Sequence, residues 1–199
     1  MSSFIGHSLA AYSLAAATQH RRGAAPLRLL WAGWLIVLAS APDADYLIPA
    51  LNSRAHHGIR ITHSVALSLV LPLCTIAVLG LAVRGGRELK SLAVCAALAG
   101  LSHLVLDFLV GVTPLPLLWP FSTATFTSPI GILPSAGGLR LSNYYLYRNL
   151  LIEIGILAPL LYVARGVYCG TIGARHRARI ILLLVIAGCF IAWSLGLSR

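Results

Sequence analysis

The stretch SLAVCAALAGLSHLVLDFLVG, residues 91–111, decides how the rest of the chain is read. As α-helix at about 1.5 Å per residue it reaches about 30 Å, the thickness of a bilayer's hydrocarbon core. Only two of its side chains carry charge, His103 and Asp107. Their i, i+4 spacing puts them on one face about one turn apart, so a single helix offers two ligands to one ion.

Composition places that helix in a membrane. Of 199 residues, 58% are hydrophobic and 10% charged, where soluble domains carry roughly 25% charged residues. The mean hydropathy is +0.86. Further apolar stretches recur at 4–18, 27–42, 62–83, 149–167 and 180–197. The expected fold is therefore all-α, a polytopic transmembrane bundle of about six helices forming one integral membrane domain over 1–199. The first two stretches are short, and cross only with bilayer thinning or as partly buried segments. No Lys or Arg precedes the first of them and His20-Arg21-Arg22 follows it, so a retained helix is expected rather than a cleaved signal peptide. Cys74, Cys95, Cys169 and Cys189 form no CxxC pair and read as apolar thiols inside the bundle, not as a zinc knuckle or a disulfide framework.

The formal charge of +10 raises the question of nucleic acid, but no aromatic-interleaved basic platform accompanies it, and no nucleic-acid partner is expected. In a polytopic protein Lys and Arg report orientation first. Arg21, Arg22 and Arg28, then Arg84, Arg87 and Lys90, then Arg165, Arg175, Arg177 and Arg179 fall in alternate loops. Only Arg54, Arg60, Arg140, Arg148 and Arg199 fall on the other side. This places the protein in the inner membrane with both termini extracytoplasmic. The segment 173–179 becomes a cytoplasmic anchor for anionic headgroups.

Four groups of ionisable residues remain, and the topology carries all of them to the outer boundary. His7 opens helix 1, Asp43 and Asp45 lie where helix 2 ends at Pro42, His56, His57 and His63 precede helix 3, and His103 and Asp107 lie in helix 4. Ionisable groups at membrane depth persist where they pair, line a cavity or bind an ion. A mixed set of carboxylates and imidazoles suits Zn²⁺, or Mn²⁺ or Fe²⁺, rather than the all-oxygen shells of Mg²⁺ or Ca²⁺. The expected metal ligands are His7, Asp43, Asp45, His57, His63, His103 and Asp107, with His56 an alternative to His57. So large a set suits one ion or two, a pair standing about 3.5–4 Å apart as in phosphate-ester hydrolysis. Glu153, near the outer end of helix 5, is the one further acid placed to join.

These residues resemble the YdjM-like family of membrane-bound proteins assigned as metal-dependent hydrolases. That family's order of GH, PDxDH, HRGxTHS, SHxxxD and TPxGVPLLWP is matched here by Gly6-His7, Pro42-Asp43-Ala44-Asp45, His57-Gly58 with Thr62-His63-Ser64, Ser102-His103 with Asp107, and 113–121. The resemblance covers roughly 1–121, leaving 122–199 as the outer loop and the last two helices. Tyr46 stands where the family commonly has His, and the His57 to His63 interval is one residue longer than usual. The resemblance implies metal-dependent hydrolysis.

With no GxSxG elbow or Ser/Lys pair in the chain, metal-activated water is the economical nucleophile. One of Asp43 and Asp45 would hold metal and the other receive the proton, the sequence leaving them interchangeable. A site at headgroup level points to a membrane lipid as substrate. The long loop of about 112–147, with Pro114, Pro116, Pro120, Pro129, Pro134, Trp119 and Phe121, reads as an interfacial lid. Arg54, Arg60, Arg140 and Arg148 lie on the same side and favour a phosphate-bearing headgroup. Hydrolysis of a lipid amide or ester at the same metal, or a divalent-metal transporter or binding protein, are the alternatives. No repeat between the two halves supports a transporter.

Overall fold

The computed structural model describes residues 2–18, 25–46, 59–82, 86–135, 142–171 and 176–197. Six helices account for most of them: α1 (Phe4–Thr18), α2 (Ala25–Ser40), α3 (Val65–Ala82), α4 (Gly86–Val110), α5 (Tyr144–Tyr168) and α6 (Arg177–Leu195). Short 3-10 turns, Ala41–Tyr46 and Ile61–His63, follow α2 and precede α3. The only extended pairing among the described residues is an antiparallel bridge between Leu115 and Phe126. The all-α helical bundle is thus the observed fold.

Two helices organise it. α1 packs against α2, α4 and α5, and α4 packs against α1, α2 and α3, while α6 rests mainly on α5. Small residues make the central contacts possible: Ala11, Ala15, Ala39, Ala96 and Ala99 are buried with Leu35 and Leu38 between α1, α2 and α4. Lipid tails give helices no hydrophobic reason to associate, so close approach of small residues supplies the packing instead. A second cluster joins Ala10 of α1 to Leu106 and Val110 of α4, Leu133 of the following loop, and Ile152 and Ile156 of α5. α1 can be short because longer helices surround it.

Five segments are long and apolar enough to cross a membrane, and α1 is the shorter sixth. The outer helices wear their apolar side chains outward: Leu73, Val78 and Leu81 on α3, and Ile181, Leu182 and Val185 on α6, are all exposed. Water would not tolerate that surface, and lipid does. Cys74 and Cys189 share it, and of the four free cysteines only Cys95 is fully buried. The expectation of thiols buried inside the bundle holds for Cys95 and fails for those two, whose helix faces meet lipid.

Helix boundaries depart from the apolar runs in an instructive way. α4 and α5 are each 25 residues long, starting in polar sequence at Gly86 and Tyr144, because a backbone in lipid keeps its helical hydrogen bonds past the hydrocarbon edge. α3 starts later than its apolar run. Ser64 is extended, and Val65 donates its N–H to the Leu117 carbonyl instead of to a preceding turn. The loop after α4 is thereby strapped to α3, and Leu133 N–H, bonded to the Leu109 carbonyl, straps it to α4. Asn149 Nδ2 on α5 holds the Ser135 carbonyl.

Pro72 interrupts the α3 ladder and leaves the Ser68 carbonyl, four residues back, without its helical donor. That carbonyl lies against Gly100 of α4, where a Cβ would sit 2.6 Å from it and 2.7 Å from Pro72 Cγ. Gly100 therefore sets how closely α3 and α4 approach, one turn before His103.

Candidate metal centre

Five side chains from four segments meet at one end of the bundle: His7 of α1, Asp43 of the turn after α2, His63 of the turn before α3, and His103 and Asp107 of α4. His7, His63 and His103 are fully buried and Asp107 nearly so, whereas the Asp43 side chain is 28% exposed. In two triads, His7–His103–Asp107 and Asp43–His63–His103, the candidate ligand atoms lie within 4.8 Å of one another. His103 belongs to both.

The hydrogen bonds around the cluster decide what its nitrogens offer. His103 Nδ1 lies 2.7 Å from the Ala39 carbonyl. A carbonyl only accepts, so Nδ1 carries the proton and Nε2 presents a lone pair. Thr62 Oγ1 donates to Asp45 Oδ2 at 3.0 Å, leaving its oxygen to accept from His63 Nδ1 at 3.0 Å. His63 Nε2 then also presents a lone pair, 3.1 Å from His103 Nε2. Two lone pairs at that distance repel unless a cation stands between them.

Carboxylate oxygens close around the same point. Asp107 Oδ2 lies 3.3 Å from His63 Nε2 and 3.5 Å from His103 Nε2, and Asp43 Oδ1 lies 3.5 Å and 3.9 Å from them. Asp107 Oδ2 is nonetheless a buried oxygen with no hydrogen-bond partner, and both nitrogens of His7 are equally unmatched. His7 stacks on His103 with ring centres 4.1 Å apart. Its Nε2 is 3.8 Å from Asp107 Oδ1 and 4.0 Å from Asp43 Oδ2. Orphaned polar atoms at this burial are expensive, and here His7 Nε2 and Asp107 Oδ2 both stand among the cluster's other groups.

A divalent cation resolves the arrangement. Ligands about 2.0–2.1 Å from a tetrahedral zinc stand about 3.3 Å from each other, which the separations of 3.1–3.5 Å between His63, His103 and Asp107 match. Among the described residues of the cluster, Asp43, Asp45 and Asp107 against Arg60 sum to two negative charges, which one divalent cation would balance. These residues can hold a metal ion.

Asp45 stands apart from the expected ligands. Its carboxylate accepts from Arg60 Nε at 2.9 Å, Arg60 Nη2 at 2.7 Å and Thr62 Oγ1 at 3.0 Å. Its closest approach to a cluster nitrogen is 4.0 Å, to His63 Nδ1. Arg60 is buried and reaches Asp43 as well, at 3.4 Å. It therefore braces the two aspartates rather than projecting as a headgroup donor. Arg148 bonds Asn149 Oδ1 and covers the Tyr145 ring, both beside it on α5. Arg54, Arg140, His56 and His57 lie outside the described residues, as does the Tyr46 side chain.

Four supporting groups, Ser2, Ser3, Thr62 and the Ala39 carbonyl, were not assigned a role from sequence. Ser2 donates its N–H to Asp107 Oδ1 at 2.8 Å and its hydroxyl to Glu153, while Ser3 N–H donates to Glu153 at 3.0 Å. Glu153, buried in α5, does join the site region, by anchoring the start of α1 rather than by facing the histidines. A Cβ at Gly6 would collide with its carboxylate, which explains the glycine before His7. The Ala39 carbonyl carried no signal at all, and Thr62 only its place beside His63.

The fold and site define a class, the polytopic α-helical membrane protein with a buried His/Asp cluster at one end of its bundle. The chain belongs to the YdjM inner membrane protein family, whose model matches residues 1–197. The match extends through the last two helices, beyond the 1–121 in which motifs are legible. No curated protein and no solved structure matches the chain.

Proposed function

We propose that the protein is an integral-membrane metal-dependent hydrolase acting on a phosphate-containing lipid at the extracytoplasmic boundary. The observation that carries this reading is the convergence of the bare Nε2 atoms of His63 and His103 with the unpartnered oxygen of Asp107. His7, Asp43, His63, His103 and Asp107 would hold the ion, zinc being favoured by the three imidazoles, with manganese or iron also suited. A bound divalent ion supplies Lewis acidity, drawing the pKa of water towards about 7 and polarising the scissile group.

The chain's own residues divide the remaining work. Asp43 is the ligand with an exposed edge, so it is the group placed to meet substrate and accept a proton. Asp45, saturated by Arg60 and Thr62, orients His63 through Thr62. Arg60, buried and bonded to both aspartates, holds Asp43 in place at the edge of the histidine cluster. Burial of His7, His63 and His103 keeps bulk water from competing for their nitrogens.

The test is turnover by the purified protein in liposomes of phosphatidylglycerol, phosphatidylethanolamine and lipid phosphate, followed by mass spectrometry of the products. Phosphoester cleavage that stops with a chelator, returns with zinc or manganese, and falls at least about 100-fold in Asp43→Ala is expected. Release of fatty acid instead would move the bond to a lipid ester or amide. Metal uptake into the vesicles without lipid cleavage would replace the hydrolase by a transporter.

A further inference from the structure

The end of the bundle opposite the histidine cluster has a feature of its own. There α1, α4 and α5 part to leave a cleft of about 560 Å³. Leu14, Ala17, Val94, Leu98 and Leu161 make it apolar, and Arg87, Lys90 and Arg165 stand at its basic end. Ala10 to Ala17 of α1 run along it, about 10 Å of helix, so its shape is that of a slot along the bundle. Its size lies within the roughly 300–1,000 Å³ of small-molecule sites.

We propose that this cleft binds one anionic phospholipid, an acyl chain in the slot and the phosphate at Arg87, Lys90 and Arg165. Charge complementarity carries the choice of occupant. Among the described residues no carboxylate lies within 4.0 Å of any of the three cations. Glu88, the acid of the same turn, does not line the cleft. The cations come from two helices, α4 and α5, so they surround the slot instead of forming one solvated stripe. Arg165 also lines a smaller cavity of about 150 Å³ with Arg179 and His176, which extends the positive field. An acyl chain gains little by leaving the bilayer for an apolar slot, so selectivity rests on the headgroup. Basic pockets between membrane helices take anionic headgroups for this reason.

Native mass spectrometry of the detergent-purified full chain, titrated with phosphatidylglycerol or phosphatidylcholine, tests the proposal. Wild type retains one phosphatidylglycerol per chain, with a preference over phosphatidylcholine of about a hundredfold. The variant Arg87→Gln/Lys90→Gln/Arg165→Gln loses the preference. Ala164→Trp, which fills the slot without changing charge, loses the bound lipid. Arg28→Gln/Arg177→Gln, at the same end but outside the cleft, keeps both. Equal binding of the two lipids by wild type overturns the proposal. So does equal loss in the Arg28/Arg177 variant, which would reduce the effect to overall charge, or a dimer in place of the lipid-bound monomer, which would give the cleft to a second copy. The thermal midpoint of each variant in detergent, compared with wild type, reports that the fold is intact.

Discussion

His103 donates its Nδ1 proton to the Ala39 carbonyl, and that one bond settles what the rest of the ring offers. Thr62 does the same for His63. Both would act on a bound metal only through the histidine they orient, and such supports typically account for 10–100-fold in metal affinity. Thr62→Val is therefore expected to keep full metal stoichiometry but to bind about 10–100-fold more weakly in a chelator competition; unchanged affinity would show that His63 needs no orienting partner. Glu153→Ala removes the acceptor of Ser2 and Ser3. Unmatched buried donors cost about 1–3 kcal/mol, so its thermal midpoint in detergent should fall, whereas Glu153→Gln, which still accepts, should lose less. The residues of the candidate centre were legible in sequence because an imidazole or carboxylate inside an apolar run is conspicuous, as at His103 and Asp107. Asp45 reads as a ligand on the same ground: spacing shows that a carboxylate is near a site, and only the structure shows that Arg60 and Thr62 already bond it.

Helix contacts set the distances between those residues. Gly100 brings α3 against α4 at the Ser68 carbonyl freed by Pro72, which places His63, just before α3, beside His103, one turn past Gly100. In Gly100→Ala the new methyl meets backbone that cannot swing aside. Overpacking of this kind costs about 1–3 kcal/mol, and metal affinity should fall with it because the two histidines are spread. A variant unchanged in both unfolding and metal titration would show the contact to be slack. Element existence was readable from apolar length in all six cases. Boundaries were not, since hydropathy reports the hydrocarbon slab and not the hydrogen-bonded helix, as the polar starts of α4 and α5 show. The loop after α4 was readable as proline-rich, but its straps to Leu109 and Val65 are backbone bonds that side-chain pattern does not encode.

The whole molecule separates two kinds of polar group, a histidine and carboxylate cluster at one end and Arg87, Lys90, Arg165 and Arg179 at the other. Counting only Lys and Arg was enough to bring His7, Asp43, His63, His103 and Asp107 to one boundary, because strict alternation of spans leaves no other arrangement. The proposed orientation puts the cluster outside. A cysteine at Ser122, in a background without native cysteines, should then react with an impermeant maleimide added to spheroplasts, and one at Thr171 only after permeabilisation. The reverse pattern would invert the protein. What the sequence lacked at this scale was the cleft, whose walls come from three helices far apart in the chain. The most direct test of the account is the metal content of the purified protein, by elemental mass spectrometry, after exposure to zinc, manganese and iron. One or two equivalents are predicted in wild type and almost none in His103→Ala, since His103 belongs to both triads. Folded wild type that stays metal-free under all three conditions would contradict it.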